Sequence, residues 1–133
     1  MYLLGSGTTS GEIISGNTLN LPRGLTSVSI FGENIITGDA ADLPSGATFV
    51  AIGGNNTISG YTFPHTWPTP MNQLTLFGSV SNNSTFIDNI LIDLTASTWT
   101  GSKIINLKGV SSATATAAVT YLISQGVTVN VTP

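Results

Sequence analysis

Four glycines constrain this chain more than any other feature. Anchored on Gly32, Gly54, Gly78 and Gly109, the segments LPRGLTSVSIFG, LPSGATFVAIGG, WPTPMNQLTLFG and TWTGSKIINLKG superimpose. Four and two residues before the glycines stand Val28 and Ile30, Val50 and Ile52, Leu74 and Leu76, Ile105 and Leu107. Branched apolar residues at every second position describe a strand with one buried face. Eight residues before the glycines lie Gly24, Gly46, Pro70 and Gly101; eleven before the first three lie Leu21, Leu43 and Trp67, each followed by proline. These turn-formers end one excursion and open the next strand. The first three anchors are almost evenly spaced, the interval before Gly109 is longer and implies inserted material, and Gly5 supplies a partial earlier turn.

A unit this short cannot bury its own apolar face, so the units must stack and pair their strands in parallel. Each inward Val, Ile or Leu then contributes about 1.5–3 kcal/mol on burial. The expected fold class is an α/β repeat: a solenoid with one parallel β-sheet, strands near 26–31, 48–53, 72–77 and 103–108. Only 7% of the residues are charged. Stacked corners explain the scarcity, because equivalent side chains of neighbouring units touch and like charges there would repel.

Two segments interrupt the pattern. STFIDNILIDLTAS places Phe86, Ile87, Ile90, Leu91 and Leu94 on one face at helical spacing, with Asn83 or Ser84 as N-cap, and predicts a short inserted helix near 84–96. SATATAAVTYLISQGVTVNV predicts a second helix near 114–125, a stop at Gly126 and a last strand near 127–131. The chain thus divides, within a single domain over 1–133, into irregular repeats of roughly 22–27 residues (1–80), a helix-containing last repeat (81–109) and a C-terminal helix–strand cap (110–133). MYLLGSG opens in the middle of a turn, so residues 1–10 are expected to pair with preceding repeats of a longer polypeptide or with another chain, as in a homo-oligomer.

Strand parity also defines a surface. If Val28 and Ile30 point inward, then Ser27, Ser29 and Phe31 point outward, as do Phe49 and Ala51, Gln73, Thr75 and Phe77, and Ile104, Asn106 and Lys108. Phe31, Phe49, Gln73, Phe77 and Asn106 are the candidate partner-binding residues, because aromatic faces offer stacking area and amides offer orienting hydrogen bonds. YTFPHTWPTP gathers Tyr61, Phe63, His65 and Trp67, and Tyr61 and Phe63 form a second candidate surface. Trp67 occupies the slot of Leu21 and Leu43 and is expected in the core.

Several chemistries find no support. A net charge of −3 with Arg23, Lys103 and Lys108 as the fixed cations does not neutralise a row of phosphates, which argues against nucleic acid. Without cysteine there is no thiolate metal site, and no apolar run reaches the ~18 residues of a membrane span. His65 is the single histidine, no GxSxG elbow is present, and Asp39 and Asp42 belong to no calcium-binding pattern. No catalytic residue, metal or cofactor is expected. Threonines do not recur at one position of the unit, so a flat ice-binding array is not supported.

LTSVSIFGENIITG and ATFVAIGGNNTISG resemble the leucine-rich-repeat pattern, with Asn34 and Asn56 near its asparagine position after one extra residue. The run of LP-x-G turns and NTISG corners, followed by YTFPHTW, IDNILIDLTASTWTGSKIINLKG and AAVTYLISQGVTV, resembles the leucine-rich-repeat-like C-terminal regions of phage and prophage tail or virion structural proteins of the Bacteroidetes type. That resemblance implies a non-enzymatic, virion-located tail-fibre or adhesin protein. Its partners would be a host surface glycan or protein, or neighbouring virion subunits. A bacterial cell-surface leucine-rich-repeat adhesin is the alternative.

Overall fold

The structure is a computed structural model that describes residues 2–7, 15–32, 35–54, 56–77 and 84–133. It is mixed α/β. The strands are β1 (Tyr2–Gly7), β2 (Ser15–Asn17), β3 (Ser27–Gly32), β4 (Ile35–Asp39), β5 (Phe49–Ile52), β6 (Thr57–Gly60), β7 (Met71–Leu76), β8 (Trp99–Lys108) and β9 (Thr128–Thr132). The helices are α1 (Ser84–Leu94) and α2 (Thr116–Ser124). Six strands form one sheet in the order β1-β3-β5-β7-β8-β9, and β2-β4-β6 form a second, three-stranded sheet. Every pairing is parallel.

The glycine-anchored register is the register of the large sheet. Val28 lies opposite Val50, Val50 opposite Leu74, Leu74 opposite Ile105 and Ile105 opposite Val129. Ile30, Ile52, Leu76, Leu107 and Val131 form the parallel column two residues on. The first four members of each column are wholly buried, as are Ile36, Ile58, Met71, Ile87, Ile90, Leu91 and Leu94. One core therefore joins the inner faces of both sheets and α1. Gly54 follows β5 with φ +72, and a Cβ there would collide with the Gly32 backbone of the preceding anchor, so close approach requires glycine at this position; the anchor Gly78 lies outside the described residues.

The second sheet goes beyond the single sheet expected from the sequence. Ile36 and Ile58 turn inward and carry their short strands with them, and the buried Asn56 side chain ties the corner to β4. Asn56 Oδ1 accepts from Ile36 N at 2.8 Å and its amide donates to the Gly53 carbonyl. Asn34 and the expected helix cap Asn83 lie outside the described residues. Past this corner the phrases NTLNLP and DAADLP, which precede the first two anchors at equal distance, make 3-10 turns over Thr18–Asn20 and Ala40–Asp42. Asn17 and Asp39 cap them by accepting from Leu19 N at 3.0 Å and Ala41 N at 2.7 Å. Arg23 braces both turns, its guanidinium donating to the carbonyls of Leu21, Thr18 and Asp42.

The helices fall where the periodicity places them, with shifted ends. α1 stops at Leu94 instead of 96, because Thr95, Ala96 and Ser97 turn back onto the carbonyls of Ile92, Asp93 and Leu94. α2 starts at Thr116, preceded by a 3-10 turn over Ala113–Ala115 whose cap Ser112 also binds the buried Asp88 of α1. Gly126, at φ +80, ends α2 by donating to Ile123 O while Val127 N donates to Leu122 O, the two bonds of a Schellman cap. β8 begins five residues before Ile104 because Thr100–Lys103 bulge out: Met71 faces Trp99 but Gln73 faces Ile104.

Candidate binding face

Inward parity fixes what the outer face of the large sheet displays. One row runs Ser27, Phe49, Gln73, Ile104, Thr128, and the next runs Ser29, Ala51, Thr75, Asn106, Asn130. Beyond the strand ends Gly53 N donates to Ile30 O and Phe77 N to Ile52 O, which places Phe31, Gly53 and Phe77 in a third row.

The middle row is a hydrogen-bonded ladder. Asn130 Nδ2 donates to Asn106 Oδ1 at 2.8 Å, and Asn106 Nδ2 donates to Thr75 Oγ1 at 3.0 Å. Gln73 Nε2 donates to the same hydroxyl oxygen at 3.0 Å. Each amide is thereby held in one orientation while the Gln73 carbonyl and the second N–H of each amide remain to be shared. Such a row offers both donors and acceptors without net charge.

Aromatic side chains flank the ladder on both sides. Phe31 is 41% exposed, and its ring covers Gly53, where a Cβ would strike it and would also come within 3.7 Å of Phe77 Cβ. Phe77 and Phe49 are half-buried. Gln73 and Asn106 are brought together through Thr75, Phe31 and Phe77 meet around Gly53, and Phe49 stands two rows away beside Gln73. Parity exposes Ala51 and Thr75 as well, but both are only 4% exposed. They are small side chains in the middle row, shielded by the larger ones of the rows beside them. Asn130 is the ladder member that sequence reasoning passed over; extending the parity of Asn106 through Val129 and Val131 points to it.

Tyr61 and Phe63 do not join this face. The segment between β6 and β7 turns through cis peptide bonds at Phe63-Pro64 and Thr69-Pro70 and packs on α1. Trp67 is buried, as its alignment with Leu21 and Leu43 requires, and lies parallel to Tyr61 at a ring distance of 6.1 Å. Trp67 Nε1 donates to Tyr61 Oη at 2.9 Å, Tyr61 donates to Asp93 Oδ2 at 2.7 Å, and His65 N donates to the same oxygen at 2.7 Å. On the other flank Thr62 donates through N and Oγ1 to Asp39 at 3.0 and 2.7 Å. Burial and the bond to Asp93 push the Tyr61 phenol well above its ordinary range. Burial also lowers His65, against the opposing pull of Asp93, Asp39 and Asp42. For Asp39 burial acts upward, but the hydrogen bonds from Thr62 and Ala41 together outweigh it and hold the carboxyl below its usual value. Phe63 is exposed at the tip of this segment.

Family models, curated proteins and solved structures give no match to the chain. Among the described residues no group of His, Asp and Glu is placed to hold a metal ion, and no helix is long and apolar enough to cross a membrane.

Proposed function

We propose that the chain is a leucine-rich-repeat-like solenoid that works as a recognition module without chemistry of its own: a virion-associated tail-fibre or adhesin protein whose large-sheet face contacts a host surface glycan or protein, or a neighbouring virion subunit. One observation carries this reading. The ladder Gln73, Thr75, Asn106, Asn130 is oriented by its own hydrogen bonds, keeps donors and acceptors in reserve, and is flanked by Phe31, Phe77 and Phe49. Preoriented amides beside aromatic surface suit an uncharged partner, since no ordering of flexible side chains has to be repaid on binding.

Replacing Phe31 and Phe77 together by serine leaves the core columns untouched, because both side chains lie on the outer face. Attachment to host cells, and retention on a printed array of neutral and acidic glycans, should weaken by roughly tenfold or more, as expected for aromatic anchors. A folded double variant that attaches normally would remove this face as the working surface.

A further inference from the structure

The last strand of the large sheet is built to pair with itself. β9 reads Thr-Val-Asn-Val-Thr, a palindrome centred on Asn130. It ends the strand order of the sheet, so among the described residues its far edge has no strand partner. The carbonyl of Thr132 accepts from Gly109 N at 2.7 Å, which turns the backbone groups of Thr132, Asn130 and Thr128 toward β8 and those of Val129 and Val131 toward the open edge. Natural edges are blunted by charge, proline or a bulge. From Gly126 to Thr132 there is neither a charged residue nor a proline, and β9 pairs with β8 without a shift of register.

Burial points the same way. Val28, Val50, Leu74 and Ile105 are fully covered, as are Ile30, Ile52, Leu76 and Leu107, whereas the last members of those columns, Val129 and Val131, remain half-buried. An added strand would complete their cover.

We infer that β9 pairs antiparallel with β9 of a second copy about a two-fold axis through Asn130, joining two six-stranded sheets into one. Closed two-fold association needs a self-complementary patch, and the palindrome supplies it. Val129 then faces the second copy's Val131 on the inner side, Thr128 faces its Thr132 on the outer side, and Asn130 faces its own counterpart. The backbone parity agrees: Val129 and Val131 exchange reciprocal N–H···O bonds, while the central asparagines form a non-hydrogen-bonded pair with Cα atoms about 4.5 Å apart. The ladder ends at the right place. The next pair would set Pro133, which has no N–H, against Val127, whose N–H is already given to Leu122 O. The amide ladder of one copy continues into that of the other.

The absence of cysteine makes the register testable. Asn130 and Thr132 are exposed and their replacement leaves the core intact. Asn130→Cys places two sulfurs across the axis at a separation that suits a disulfide, so mild oxidation should link the dimer roughly tenfold or more faster than Thr132→Cys alone. A mixture of Thr128→Cys and Thr132→Cys chains should cross-link to each other in preference to themselves. The unmodified chain should sediment as a dimer at roughly 100 μM, well above the micromolar constant of a weak specific pair. Sedimentation as a monomer there overturns the inference, and so does cross-linking at equal rates through the three positions.

Discussion

The outer face of the large sheet and the corner over Tyr61–Trp67 use the same ingredients, aromatic rings among uncharged polar groups, to opposite ends. At the corner the named donors are spent internally: the Trp67 indole on Tyr61, the Tyr61 hydroxyl and the His65 backbone N–H on Asp93, Thr62 on Asp39. On the sheet Gln73, Asn106 and Asn130 are linked through the buried Thr75 and through one another, and the three amides retain capacity outward. An aromatic cluster in sequence therefore does not by itself locate a surface for partners. The carboxylates decide. Asp39 and Asp93 draw the corner inward, and the ladder contains no charged group to do the same.

The largest effect should come from the corner. Trp67→Ala removes a buried ring that stacks on Tyr61 and leaves its hydroxyl without a donor, so stability should fall by roughly 3–5 kcal/mol, read from the midpoint of urea unfolding. A loss below ~1 kcal/mol would mean the corner is not part of the cooperative core, and the contrast with the sheet face would lose its basis.

Asp93→Asn comes next. The variant keeps the size of the side chain but removes the charge that two donors share, and hydrogen bonds to charged groups are worth about 1.5–3 kcal/mol each at most. The expected loss is about 2 kcal/mol in the same assay, with faster amide exchange at His65 and in α1. Exchange along β7 and β8 should be unchanged. Protection lost equally in both places would show that corner and sheet open as one unit.

Much of this contrast was legible beforehand, and the part that was not has a physical reason. The alternation before Gly32, Gly54, Gly78 and Gly109 specifies both buried columns, because a one-residue slip would turn every valine and leucine outward. The slot before the Pro22, Pro44 and Pro68 turns aligns Trp67 with Leu43 and Leu21 and so places it in the core. Helix α1 is visible in the spacing of Phe86, Ile90 and Leu94. What the pattern could not reveal were contacts that depend on a single side chain far away in sequence. Asp93 reaches Tyr61 from 32 residues off and Asp88 reaches Ser112 from 24, and neither belongs to a period. The ladder was half visible: parity gave Gln73 and Asn106, but not that Thr75 is buried beneath their bonds. The bulge at Thr100–Lys103 is marked in the sequence by the turn-former Gly101, at φ +64, but the return to pairing at Trp99 on its far side leaves no mark in the alternation.

The smallest effect is the pH dependence of the corner, and it sharpens the comparison because no histidine or acid belongs to the ladder. His65 has a folded pKa below its ordinary 6.5, with burial as the main cause. The unfolded chain therefore takes up a proton first as the pH falls, and stability declines from about that value downward. Asp39 works in the same direction at lower pH. Burial raises it, but the Thr62 and Ala41 bonds prevail and leave it below 3.8, so its contribution is present above that value and is lost as pH falls through the folded pKa. Thermal midpoints should thus be flat from neutrality to about pH 10, fall above it as the unfolded chain loses the Tyr61 proton that the buried phenol keeps, slope gently downward below pH 6.5 and fall again under pH 3.8. His65→Gln should flatten the first slope and weaken the second only slightly, since the imidazolium is the last of the groups that hold Asp39 down. Attachment measured on folded protein between pH 7 and 6, where the corner begins to respond, should not change, since the ladder is built from amides and a hydroxyl that do not titrate there. A binding change across that interval that disappears in His65→Gln would tie the two regions together and end their separation.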